Sequence, residues 1–198
     1  MQNPKVLLIT IALLFFAPLL LAVMMRSGWW NFTPSKLSNR GTLVQPASAF
    51  PVDATQELDA PTAPSGHGGW TVVYLLPRHC EQACQKSIAA LRQVHLATGR
   101  DRDRVGLWML TSQPPGENER SMLHAIYPGF QLRLDPDGRA KALLAGLHGS
   151  HGDSFGDSPG QAFLLDPGGN IILRYAAGFD PRDLRQDLDR LLTWTPGE

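Results

Sequence analysis

Two thiols set the chemistry open to this sequence. Cys80 and Cys84 are the only cysteines among 198 residues, and they stand four apart in His79-Cys80-Glu81-Gln82-Ala83-Cys84-Gln85-Lys86. Side chains four apart on a helix share a face, so the two sulfurs can meet one ligand or each other. At the mouth of a helix, the axial dipole and the unpaired amides favour a thiolate. A thiolate attacks disulfides, and a pair of thiolates suits a soft cation such as Cu(I). The plainer alternative is a structural disulfide, or two buried thiols without chemistry. Two cysteines make neither a disulfide scaffold nor, within one chain, a four-cysteine zinc site.

The elements that position the thiols follow from the flanking patterns. Trp70 to Leu76 is a near-continuous apolar run, as expected of a strand buried on both faces. Only Pro77 and Arg78 separate it from His79. Ile88, Leu91 and Val94 then recur at helical spacing, and Gly99 suits the end of that helix. A charged turn, Arg100 to Arg104, leads to a second buried strand over Val105 to Leu110, and Ser112 to Glu119 reads as a loop. Gln131 to Leu134 reads as a short strand. Arg139 to Leu147 reads as a helix with Ala140, Leu143 and Leu144 inward. After a glycine-rich stretch from His148 to Gly160, two apolar runs flank Asp166-Pro167-Gly168-Gly169-Asn170, a strong hairpin signal. A last helix has Asp180 to cap it, Pro181 at its first position, and Leu184, Leu188, Leu191 and Leu192 on one face. This order predicts an α/β, thioredoxin-like fold whose parallel strands are covered by helices.

Ahead of that domain, Val6 to Met25 is twenty residues without a charge, enough to cross a hydrocarbon core as a helix. Pro18 is tolerable in such a helix. A cleaved signal peptide competes with this reading, but the run exceeds the usual apolar core of one, and Ala47-Ser48-Ala49 lies too far downstream to serve as its cleavage site. The expectation is a membrane anchor over 1–26, with Trp29, Trp30 and Phe32 suited to the membrane–water interface. Residues 27–69, rich in Pro, Ser, Thr, Ala and Gly, read as a flexible tether, and 70–198 as the folded domain. One thiol pair in an otherwise cysteine-free chain fits an oxidising compartment. The expected location is a bacterial inner membrane, single-pass, with the folded domain in the periplasm. Zero formal net charge and no basic run argue against a nucleic-acid partner.

His79-Cys80-x-x-x-Cys84 after an apolar strand and before a helix resembles the Sco-type proteins. These are membrane-anchored, thioredoxin-fold copper chaperones and thiol–disulfide reductants that help assemble the CuA centre of cytochrome c oxidase. The likeness extends through Phe163-Leu164-Leu165-Asp166-Pro167-Gly168-Gly169 and the final helix. It implies copper as cargo, handled as Cu(I), and as partner a cytochrome c oxidase subunit or another assembly factor. Glu81 and Gln85 depart from the family, which has proline after each cysteine. The family's third copper ligand, a histidine, would align with Ser158; the nearest histidine is His151, so the implied metal set is Cys80, Cys84 and His151. Pro159 stands where thioredoxin-type proteins place a cis-proline opposite the reactive cysteines, which implies a site of Cys80, Cys84 and Pro159. His79 stands next to the first thiol. His67 reads as a linker residue and His148 as a surface one, while His95 and His124 have no companion at ligand spacing. Two other functions fit the same residues: a general membrane-tethered thiol–disulfide oxidoreductase, and a noncatalytic docking module.

Overall fold

A computed structural model describes residues 4–26, 38–59, 69–149 and 158–195, which fall into two separate units. The first holds helix α1, Pro4–Arg26, with Pro18 inside it. Its Pro4–Met24 stretch has a mean hydropathy of 2.9 and is the one helix among the described residues that is long and apolar enough to cross a membrane.

The second unit begins at Asn39. Its framework is a seven-stranded sheet in the order β1-β7-β6-β3-β4-β5-β2. The strands are β1 (Thr42–Ala49), β2 (Gln56–Glu57), β3 (Trp70–Leu75), β4 (Val105–Thr111), β5 (Gln131–Leu134), β6 (Ala162–Leu165) and β7 (Asn170–Tyr175). The helices are α2 (Gln82–Ala97), α3 (Glu117–Ile126), α4 (Arg139–Gly146) and α5 (Pro181–Trp194). β3 is central: it pairs in parallel with β4 and antiparallel with β6, and all six of its residues are buried. Alternation along the strand divides its side chains between the two faces. Val72 and Tyr74 join Ile88 and Leu91 of α2 and Leu184 and Leu188 of α5 in one core, whereas Val73 and Leu75 join Ala140 and Leu144 of α4 in the other.

The expected elements from Trp70 onward are present, and the hairpin between β6 and β7 turns through Gly169 at φ 79°. The Asp180 side chain accepts from the amide of Arg182, with Pro181 at the first position of α5, as its sequence implies.

Two expectations are corrected. The tether expected over 27–69 is not tether throughout. β1 pairs antiparallel with β7, and β2 with β5, so both edges of the sheet are built from this stretch. Val44 and Phe50 supply the reason: each is buried in the α4-side core, where isolated apolar residues outweigh a Pro- and Ser-rich surrounding composition. The loop expected over Ser112 to Glu119 is also shorter, because α3 starts at Glu117. Acidic residues in a first turn favour helix initiation, and Leu123 and Ile126 anchor the helix to the core.

Candidate redox site

The chain reaches the site by leaving the sheet at the end of β3. The amide of Leu76 still donates to the carbonyl of Leu110 at 2.9 Å, after which Pro77, Arg78 and His79 carry the backbone to α2. Glu81 is the N-cap of α2 but makes no side-chain capping bond, so the first amides of the helix are left to act on whatever lies at its mouth. There the two sulfurs meet each other. Cys80 and Cys84 form a disulfide with their Cα atoms 5.2 Å apart. Their residues are 8% and 6% exposed, buried in the same core as Tyr74 and Ile88.

Two side chains fix the backbone of Cys80. Its amide donates to Oε1 of Glu119 at 2.8 Å, and its carbonyl accepts from Nε2 of Gln85 at 3.1 Å. Glu119 sits in the first turn of α3, so that helix is joined directly to the thiol-bearing turn. Gln85, one of the departures from the Sco pattern, thus takes a structural part that a proline, without side-chain donors, cannot. Burial pushes the Tyr74 phenol up, so it stays neutral beneath the site.

A groove of about 680 Å³ opens beside this turn. His79, Glu119, Pro114, Pro115, Lys141 and Pro159 are among its walls. Pro159 therefore faces the same space as His79, the residue before Cys80. Its peptide bond is not cis: among the described residues the one cis peptide is Gln45–Pro46. Gly160 follows at φ 84°, a left-handed conformation that a side chain would strain, and its amide donates to the carbonyl of Leu75 at 2.8 Å. That bond ties the Pro159 turn to the end of β3.

The remaining candidates separate clearly. His151 and His67 lie outside the described residues. Among the described residues, no group of three or more His, Cys, Asp or Glu side chains is placed to hold a metal ion. The two sulfurs are bonded to each other and would offer Cu(I) a pair of soft thiolates only once reduced, and His151, the third of the implied set, is among the residues not described. His95 is a core residue. Its Nε2 lies 2.8 Å from the carbonyl of Val105 and 3.1 Å from that of Arg102, so Nε2 carries the proton and Nδ1 accepts from the Tyr127 hydroxyl at 2.6 Å. Burial, its largest influence, lowers the pKa of His95. His124 stacks on Phe130 and bonds Asp59 at 3.1 Å. Glu119 is the site residue that the sequence reading missed. Its signal was the Pro114-Pro115-Gly116 stop followed by two glutamates and a helical apolar spacing.

With this geometry in hand, comparison with known proteins gives three findings. The model of a family described as "Transmembrane-like, thioredoxin-like, C-terminal domain" matches residues 70–195. A probable phospholipid hydroperoxide glutathione peroxidase from Citrus sinensis is 34% identical over 91 residues, which are 41% of this chain; the chain spans about half, 54%, of that relative's length. Among solved structures, the apo Sco1 protein from Thermus thermophilus superposes with a TM-score of 0.53 at 13% identity, covering 81% of this chain and 100% of that one. The thioredoxin domain of a thiol–disulfide oxidoreductase from Bacteroides vulgatus gives 0.48 at 16% identity, over 76% and 96%. At such identities, likeness to solved structures speaks for the fold alone.

Proposed function

The chain belongs to the transmembrane-like, thioredoxin-like C-terminal domain family, and on that premise we propose that it is a membrane-anchored thiol–disulfide exchanger whose working couple is Cys80 and Cys84. The observation that carries this reading is their disulfide at the uncapped mouth of α2, beside an open groove. In the reduced state the Cys80 thiolate attacks one sulfur of a partner disulfide. The partner's S–S bond breaks, its other sulfur leaves as a thiolate that takes up a proton, and a mixed disulfide joins the two proteins. Cys84, as thiolate, then attacks the Cys80 sulfur, frees the second partner thiol and restores the Cys80–Cys84 bond. Two electrons pass to the partner, and a dithiol donor must return them. Pro159, on the groove wall, has the part of a contact for the incoming segment.

The partner in this reading is a cysteine pair in a cytochrome c oxidase subunit, or in another assembly factor, kept reduced so that it can take up copper. The folded domain works in the periplasm of a bacterium, held by α1 in the inner membrane. Support comes from the His79-Cys80-x-x-x-Cys84 pattern shared with Sco-type proteins and from the length and apolarity of α1.

The same pattern favours a second reading, in which Cu(I) itself is the cargo, held by Cys80 and Cys84 with His151 as third ligand. Titrating the reduced full-length chain with Cu(I) and measuring its midpoint potential separates the two. One-to-one binding lost in Cys80→Ser supports cargo; a potential in the exchanger range without copper binding supports exchange. A Cys80→Ser, Cys84→Ser double variant that still supports oxidase assembly would sink both, leaving a docking module.

A further inference from the structure

We propose that the groove beside the disulfide selects its partner by charge, docking an extended segment that carries acidic side chains next to the cysteine that exchanges with Cys80. This rests on the exchange reading and says which partner that chemistry serves. The groove's size, about 680 Å³, falls within the roughly 300–1,000 Å³ of ordinary ligand pockets. It therefore suits a short length of chain rather than a whole folded face.

Its chemistry is asymmetric. Among the described lining residues, Arg78 and Lys141 are cationic and His79 stands beside them, against one carboxylate, Glu119. That carboxylate accepts from the Cys80 amide, which partly offsets its charge. Arg78 and His79 are exposed on the segment that leads into Cys80, while Lys141 stands half-buried on α4. The basic groups thus flank the approach from two separate elements. Pro77, Pro114, Pro115 and Pro159 stiffen the remaining wall and offer apolar contact without amide donors. A rigid groove that need not be ordered on binding retains more of its interaction energy. Complementary charge around such a groove raises the encounter rate and rejects basic competitors.

The test uses the full chain in detergent micelles with its disulfide reduced. Three synthetic peptides share one internal disulfide and differ only in flanking residues: aspartate and glutamate, lysine, or serine. Rates of peptide reduction are normalised to each protein's rate with the small neutral disulfide of mercaptoethanol. The acidic peptide should react about tenfold faster than the lysine peptide at low salt, and the gap should narrow in high salt. Arg78→Glu with Lys141→Glu should reverse the order, and the milder Arg78→Gln with Lys141→Gln should level it. Equal rates for all three peptides, or a preference untouched by both double variants, overturn the charge selection while leaving exchange intact. If the neutral disulfide is not reduced either, the exchange reading fails and this inference falls with it.

Discussion

Asp187 and Glu119 are both carboxylates that accept hydrogen bonds from backbone amides, yet they sit in opposite circumstances. Asp187, on α5, is 3% exposed and takes bonds from the amides of Arg40 and Gly41 and from the hydroxyl of Tyr175, at 2.8 to 3.0 Å. Both of its oxygens are occupied, and it clasps the start of the folded unit to the last helix. Burial, reinforced by this carboxylate, pushes the Tyr175 phenol far up, so the hydroxyl remains a donor at any ordinary pH. Glu119 is half-buried on a groove wall, and its recorded bond is the one from the Cys80 amide. A saturated carboxylate is a fastening. One with capacity to spare beside a disulfide can also influence chemistry.

The comparison breaks most visibly at Asp187. Asp187→Ala orphans the buried Gly41 amide, the part-buried Arg40 amide and the buried Tyr175 hydroxyl, so unfolding should become easier by about 3 kcal/mol, read from the denaturant midpoint. The midpoint potential of the protein that remains folded should not move; a shift there would deny that Asp187 is only a fastening. Next, Cys84→Ser opens the disulfide. So short a closed loop contributes roughly 2 kcal/mol through the entropy of the unfolded chain, and peptide-disulfide reduction should stop at the mixed-disulfide stage, visible by mass spectrometry. Release of free peptide at the normal rate would remove Cys84 from the mechanism.

Glu119→Ala sharpens the contrast. It should lower stability by only about 1 kcal/mol while changing the equilibrium of the couple with glutathione about three- to tenfold, tenfold being about 30 mV. An unchanged equilibrium would make Glu119 as purely structural as Asp187. The smallest effect concerns His95. Its folded-state pKa is depressed by burial, so the unfolded chain binds the extra proton first as pH falls. The stability this group contributes is fully present above the unfolded histidine value of about 6.5 and is lost on acidification, with a slope of at most about 1.4 kcal/mol per pH unit. His95→Gln should flatten that slope between pH 7 and 5 in thermal melts.

Most of the domain was readable because its signals are local. β3 announces itself as an uninterrupted apolar run, α2 and α5 by their spacing, and the β6–β7 hairpin by Asp166 to Asn170. β1 was hidden because its apolar residues, Leu43 and Val44, are followed by Gln45-Pro46-Ala47-Ser48, and its burial depends on a strand more than a hundred residues away. α3 was hidden behind two prolines and a glycine. The thiol pair was legible by type and spacing, but not its bonding: spacing permits a disulfide, a shared ligand or two free thiols, and only the fold chooses. The hydrogen bond from the Cys80 amide to Glu119 joins residues 39 apart, and no local pattern records it.

The two edge strands carry one more consequence. β1 contains Pro46, which has no amide to offer a neighbour, and β2 is only two residues long, both exposed. A sheet finished this way gives another chain an interrupted ladder at one edge and a very short one at the other. Under the proposed anchoring by α1, copies of the chain would meet constantly in two dimensions, and these blunt margins would hinder such collisions from zippering into aggregates.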